Sequence, residues 1–434
     1  MSMMITDTLR TQVAGQASRR GLIMRVPSGD SLLESVEAWL LAEYGDAVRS
    51  VTRRPVEGGD AELSVALHPG APNLMISASD TGRVAVTGET VAMGPGYHRF
   101  VGRLVQRLGV DLSISWDRAD ADGRTTDDPE TTFADRATTE HGYLGWLGQT
   151  LVGARANRAA GRPGLQVGIP GTTDYTFDGA IGTVLGPRDD SWLESAVADT
   201  RIATDITPWW ADASDGRYLL NRALTLMWLD VRWRAPAIKE ERALLDEIHR
   251  ILTRAYPMDP NLPYPWRAWA EIIELRGIED PMSRQVVARA ERDGADAPPI
   301  GYRRAPVTIR HEGWRLQVPG SYAERRSSDE WWGGSAGRSI TLAAVETATD
   351  EGAMGAQTFV DMFGSDLGPD AIDHRANGVI GRARLTTDTS SGVEVAVLDG
   401  YSAVVGSGAA IRIVFDDPED WQWALDMWRS LAPG

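Results

Sequence analysis

Gly333-Gly334-Ser335-Ala336-Gly337 matches the Gly-x-Ser-x-Gly pattern of a nucleophile elbow. That chemistry needs a strand before the serine and a helix after it, so that the hydroxyl stands at a sharp turn beside an oxyanion hole. Here Asp329-Glu330-Trp331-Trp332 precedes the motif and a strand-like run follows it, so the expected structure is a Gly-rich turn. A second candidate is Gly94-Pro95-Gly96-Tyr97-His98-Arg99-Phe100. It should open a helix whose free N–H groups could hold an anion, with His98 or Arg99 assisting. The plainer alternative is a tight turn followed by a partly buried histidine.

Asp117, Asp120, Asp122, Asp127 and Asp128 could clamp a hard cation, but they lack the ligand spacing and glycine of an EF-hand. A solvated loop is expected there. His68, His98, His141, His249, His311 and His374 contain no pair three or four residues apart and no His-Glu-x-x-His, so no metal site is expected. Cysteine is absent, which removes thiol chemistry and disulfides. Lys239 is the only lysine and no Gly-rich loop precedes it, so no phosphate-binding loop or other cofactor motif is expected.

The 16 tryptophans include two adjacent pairs, Trp209-Trp210 and Trp331-Trp332. Neighbours on a strand or loop cannot both face one core, because successive side chains point to opposite sides. One of each pair must lie at the surface or against another domain, and tryptophan is favoured in binding hot spots. The net charge of −17 argues against a general nucleic-acid binder or an anionic-membrane binder. The skew to arginine over lysine, with abundant Ala, Gly and Val, is what a GC-rich bacterial genome encodes. No window approaches eighteen apolar residues, and the N-terminus lacks the apolar core of a secretory signal, so a cytoplasmic protein is expected.

The elements that would carry these residues form an α+β multidomain pattern. Residues 1–24 read as a loose tail. Residues 25–205 read as an N-terminal α+β domain. It starts with a helix capped by Asp30 or Ser31, continues as an antiparallel meander over 47–56, 61–67, 73–78 and 83–86, and includes the loop 117–138. Gly109 should end the helix that His98 opens, and Gly142, Gly145 and Gly148 could allow close packing of a later helix. Residues 206–294 read as helices, 295–302 as a linker, and 303–434 as an antiparallel sheet with helices. Glu312-Gly313 marks a hairpin turn. The last helix should be capped by Asp417 and bury Trp421, Ala424, Leu425, Trp428 and Leu431 on one face.

Gly313-Trp314-Arg315-Leu316-Gln317-Val318-Pro319, Arg338-Ser339-Ile340-Thr341-Leu342, and a late strand ending in Asp416-Asp417-Pro418-Glu419-Asp420 before a helix ending in Arg429-Ser430-Leu431 form a recurring pattern. Together they resemble the Mog1/PsbP/DcrB-like α/β sandwich family over residues 303–434. The resemblance implies a fold and a non-catalytic binding or accessory role, and it transfers no catalytic residue. The sequence thus favours an adaptor or accessory protein that meets a protein partner through a Trp-rich surface. The alternatives are a hydrolase with a site near His98 and small-ligand binding between domains.

Overall fold

The computed structural model describes residues 10–17, 28–55, 61–116, 136–162, 165–169, 173–175, 177, 179–211, 214–293, 298–327, 329–349, 352–389 and 394–434. It is a mixed α+β multidomain protein with several antiparallel sheets. The five aspartates of the acidic run lie outside the described residues.

The first layer is a six-stranded antiparallel sheet. Its strands are β1 (Arg10–Ala17), β2 (Ser50–Pro55), β3 (Ala61–Ala66), β4 (Leu74–Ala78), β5 (Arg83–Glu89) and β6 (Ile114–Trp116), in the order β2-β3-β4-β5-β1-β6. Apolar side chains alternate along β3 to β5, and Leu63, Val65, Ile76, Val84 and Val86 are buried. Helices α1 (Gly29–Tyr44) and α2 (Pro95–Leu112) cover that face with Leu33, Val36, Leu40, Val101, Leu104 and Leu108. Three local expectations are corrected. Residues 10–17, assigned to the tail, form a strand paired with both β5 and β6. The cap of α1 is Ser28, whose side chain accepts from the Ser31 amide, rather than Asp30 or Ser31. Gly109 does not stop α2, which runs on to Leu112 and ends where Ser113 turns left-handed, at φ 57°.

Helix α3 (Arg136–Ala159) takes over the last three positions of the expected loop. A Cβ at Gly142 or Gly145 would meet nothing within 4 Å, so these two do not serve close packing, whereas one at Gly148 would come within 3.1 Å of Thr200 Oγ1. Short strands β7 (Gln166–Val167), β8 (Thr173–Tyr175) and β9 (Gly182–Thr183) lead to α4 (Asp190–Ala198), which Asp189 caps. Four helices follow: α5 (Gly216–Leu229), α6 (Lys239–Ala255), α7 (Trp266–Arg276) and α8 (Pro281–Asp293). Within this group α6 packs on α5, α7 on α6 and α8 on α7. On α6 the stripe Leu245, Ile248, Ile251 and Leu252 is buried, as helical spacing requires.

In the last third, β10 (Val307–His311) and β11 (Trp314–Val318) form the expected hairpin, with φ of 43° at Glu312 and 77° at Gly313. Beyond β10 lies β8, so a strand from the first half of the chain joins this sheet. The linker's end is anchored too: Tyr302 is buried, and its hydroxyl donates to the Thr183 carbonyl at 2.8 Å.

A seven-stranded antiparallel sheet completes the molecule. Its strands are β12 (Ala323–Arg326), β13 (Glu330–Ser335), β14 (Arg338–Glu346), β17 (Ile372–Ala376), β18 (Val379–Asp388), β19 (Val395–Val404) and β20 (Ser407–Phe415). Their order is β12-β13-β14-β20-β19-β18-β17. Between β14 and β17 come β15 (Ala348–Thr349), β16 (Gly352–Ala353) and helix α9 (Ala356–Phe363).

The sheet's inner face carries Trp331, Ile340, Leu342, Ile411, Ile413 and Leu398, all buried in one core with the β10–β11 hairpin. Helix α10 (Trp421–Arg429) seals the same face, and β21 (Ala432–Pro433) then pairs with β11. Asp417 does cap the approach, accepting from the Glu419 amide, but Pro418–Asp420 form a separate 3-10 turn. Ala424, Leu425, Trp428 and Leu431 are buried as expected, whereas Trp421 is 47% exposed. The spacing is right, but Trp421 is the helix's first residue and overhangs the buried rows.

Candidate functional site

His98, Arg99, Trp209 and Trp210, far apart in sequence, meet where α2 begins. Gly94 and Gly96 let the segment 207–211 lie against the helix start. A Cβ on Gly94, whose φ is +104°, would come within 2.2 Å of Thr207 Cγ2, and one on Gly96 within 2.2 Å of the Ala211 carbonyl oxygen. The Gly96 amide donates to the Trp209 carbonyl at 3.1 Å, and the Trp209 amide donates to the Met93 carbonyl at 3.0 Å. The helix-start amide that an anion would use is therefore engaged by the chain itself. His98 is buried, with Nδ1 at 2.8 Å from the Thr90 hydroxyl. Arg99 is buried as well, and its Nη2 donates to the Trp210 carbonyl at 3.4 Å.

Trp209 fills the middle of an aromatic cluster, with ring centroids 4.0 Å from Tyr218 and 4.8 Å from Phe100. Trp210 is half-buried and meets Tyr143 edge-on at 5.7 Å. Burial pushes the Tyr143 phenol well above its ordinary range, against a hydrogen bond with Thr207 that pulls it down. His68 lies beside the same cluster and accepts from the Gly70 amide on Nδ1, which leaves the proton on Nε2. That Nε2 has no partner among the described residues. Burial, then Arg222 and Arg49, hold His68 well below its ordinary pKa, so it stays neutral. This junction joins the first sheet to the helices.

The serine of the elbow-like motif lies in a β-hairpin. Ser335 ends β13 and pairs with Arg338 at the start of β14, around Ala336 and the positive-φ Gly337. No helix follows it, as the sequence order implied. Another Ser/His/Asp grouping has no motif in the sequence. His249 Nε2 donates to Asp280 at 2.9 Å, and its Nδ1 accepts from Trp269 at 3.0 Å. Asp280 in turn accepts from the Ser283 amide at 2.6 Å. Both ring nitrogens of His249 are thereby committed, and Ser283 Oγ donates to the Asp280 carbonyl, so the group clamps α8 to α6 and α7.

A buried ionic network also escaped the sequence. Glu324 of β12 receives Arg303 at 2.6 Å and Arg232 at 3.6 Å, and Trp331 Nε1 donates to it at 3.3 Å. Arg303 also donates to the Leu229 carbonyl and Arg232 to the Tyr322 carbonyl, both at 2.8 Å. Burial alone would raise the Glu324 carboxyl, but Arg303 and Arg232 outweigh it and hold it below its ordinary value. Burial would likewise depress Arg303, yet Glu324 and its other neighbours lift it. Arg232 lies farther from the carboxylate. Burial first, and Arg303 second, bring it down to about 10, so it remains a cation at neutral pH. The network ties the end of α5 to the seven-stranded sheet, and it explains why Trp331 is sealed.

Trp332 points the other way. Strand alternation places it on the outer face with Thr341, Ala343 and Val345 of β14 and Ala410 and Arg412 of β20. It is half-buried, and the Arg325 guanidinium sits 5.7 Å from its ring centroid. Helix α9 covers only the far end of this face. There Gly408 admits Phe359, whose ring a Cβ would approach to 2.2 Å. Between α9 and Trp332 the strands expose Val345 at 50% and Arg412, and Phe363 at the end of α9 is 43% exposed. Trp332 shares a cross-strand row with Thr341, Arg412 and Asp399, the last three strands away, or about 14 Å.

No family model matches the chain, and no curated protein matches it. A crystal structure from Bacteroides thetaiotaomicron VPI-5482 is similar over 28% of this chain and 45% of that one, with 6% identity and a TM-score of 0.23. The chain thus spans under half of that protein's length, and a likeness this low supports no conclusion about fold or function.

Proposed function

We propose that the protein is a non-catalytic accessory or adaptor protein that docks a protein partner on the outer face of its C-terminal sheet, around Trp332. The carrying observation is the contrast within one tryptophan pair: Trp331 is sealed in the core, while Trp332 stays partly open under Arg325. Trp and Arg dominate binding hot spots because they combine large contact area with directed polar groups. The surrounding face offers the small and apolar side chains Ala343, Val345 and Ala410, with Arg412 of the central strand paired to Asp399 at 3.4 Å among them, the mixture of apolar and polar groups found in protein interfaces. Of the other paired tryptophans, Trp209 is buried and Trp210 only half-buried, so the partner surface contracts to the sheet face. A Mog1/PsbP-like assignment of residues 303–434 and a cytoplasmic location belong to the same proposal. No helix among the described residues is long and apolar enough to cross a membrane.

A hydrolase at His98 is less well supported, because that ring is only 2% exposed and a substrate would have to part α2 from the 207–211 segment. A small ligand between domains fits poorly at the contact of Tyr143, Leu147, Val184 and Ile206. The cavity there measures about 10 Å³, roughly one water. The test is quantitative co-purification from the source organism with Trp332→Ala/Arg325→Ala beside the parent protein. The proposal expects one partner to fall at least about tenfold in the variant. Equal recovery of every co-purifying protein would rule out this face as the docking site.

A further inference from the structure

The helices α7 and α8 form an antiparallel hairpin at the end of the α5–α8 array, and an open groove runs between them. It comprises adjoining depressions of about 640 Å³ and about 510 Å³ that share Ile273, Val287 and Glu291. Its floor is apolar, built from Ala270 and Ile273 of α7 and Val287 and Ala290 of α8. Val287 is 40% exposed there, although it is a β-branched apolar residue in the middle of a helix. The rim is acidic. Glu274, Glu279 and Glu291 make no ion pair among the described residues, whereas Glu271 is held by Arg304 at 2.6 Å. Arg267 and Arg284 are the rim's cations.

We propose that this groove docks an amphipathic helix from a partner protein, with Leu-like residues on its inner face and Lys or Arg along its flanks. A helix suits the site because the lining positions 267, 270, 271 and 274, and 284, 287, 288 and 291, form rows at spacings of three and four. Such rows receive the ridges of another helix. It would extend a layer in which each helix already packs on its predecessor. Charge selects the flank: three carboxylates without ion pairs among the described residues line a groove on a chain of net charge −17, which favours a basic partner and opposes a second copy. Helix-in-groove recognition works this way, with apolar anchors for affinity and flanking charge for selectivity. The groove shares no residue with the Trp332 face, so the two proposals stand or fall separately.

The probe is a fluorescein-labelled Leu/Lys amphipathic peptide of about fourteen residues, ~21 Å as a helix. Its affinity for the full chain is read by anisotropy at physiological salt, beside a Leu/Glu peptide of the same pattern. Val287→Lys should weaken Leu/Lys binding at least about tenfold, and Glu274→Gln/Glu291→Gln by several-fold in a salt-dependent way. Val110→Lys, the same charge change at a 77% exposed position on α2, should leave affinity unchanged, as should Trp332→Ala. Circular dichroism confirms that each variant is folded. No binding of the Leu/Lys peptide overturns the proposal, as does equal binding of the Leu/Glu peptide or an equal loss in Val110→Lys. A concentration-dependent dimer in sedimentation that Val287→Lys abolishes would assign the groove to a second copy and overturn it too.

Discussion

Trp331 and Trp332 are neighbours on one strand, yet the two faces of the sheet they occupy are built on different terms. The inner face is closed by shape and by charge. Trp428 lies over Gly400 and Gly381, where a Cβ would come within 2.9 Å of its ring, and it donates to Ser402 at 3.1 Å. Trp331 is held beside Glu324 and its two arginines. The outer face is closed only where Gly408 admits α9, and beyond that its side chains meet solvent. Alternation along a strand decides which tryptophan turns inward. Whether the other face is covered depends on what the rest of the chain can lay over it, and here one short helix covers part.

The largest effect should come from the charge network. Glu324→Gln leaves two buried guanidiniums facing a neutral amide and should cost about 3–5 kcal/mol, read by urea unfolding. The same carboxylate makes stability depend on pH. In the folded state the Glu324 carboxyl lies below its ordinary value of 4.5, so the unfolded chain binds more protons in that window. Its contribution is complete above pH ~4.5 and is lost as pH falls through the lowered folded value. Glu324→Gln should therefore show a shallower loss of stability on acidification than the parent protein, and equal slopes would contradict the ionised network.

Trp428→Ala on the inner face should cost about 3–5 kcal/mol by the same measurement, since it empties a packed site that two glycines shape. On the outer face Gly408→Ala pushes a methyl into Phe359 and should cost about 1–3 kcal/mol, with faster hydrogen exchange in α9. The smallest effect belongs to Trp332→Ala, which should stay within about 1 kcal/mol. If Trp332→Ala matched Trp428→Ala, Trp332 would be a core residue and the contrast between faces would collapse.

Much of this architecture was legible in sequence where local chemistry decides it. The meander strands, the Glu312-Gly313 hairpin and the buried stripe on α6 follow from period and turn residues alone. Strand β1 was not legible. Its sequence, Arg10-Thr11-Gln12-Val13-Ala14-Gly15-Gln16-Ala17, is polar and small, yet it lies between β5 and β6. A Cβ on Gly15 would lie 2.6 Å from the Ser115 carbonyl oxygen. Thr173–Tyr175 likewise gives no sign that its partner lies over a hundred residues away in β10. Glu324-Arg325-Arg326 contains no apolar residue to mark it as buried, and only folding brings Arg232 and Arg303 to Glu324. The Gly-Pro-Gly motif before His98 was visible, but its use was not: the glycines make room for Trp209, a partner the motif does not specify.

The docking claim is tested most directly by a photo-crosslinking residue placed at position 332, with one at the exposed position 202 as the comparison, in the source organism. Docking on Trp332 gives one dominant protein adduct at 332 that is absent at 202 and is lost when Arg325→Ala is added. The same adducts at both positions, or a 332 adduct indifferent to Arg325, would contradict it.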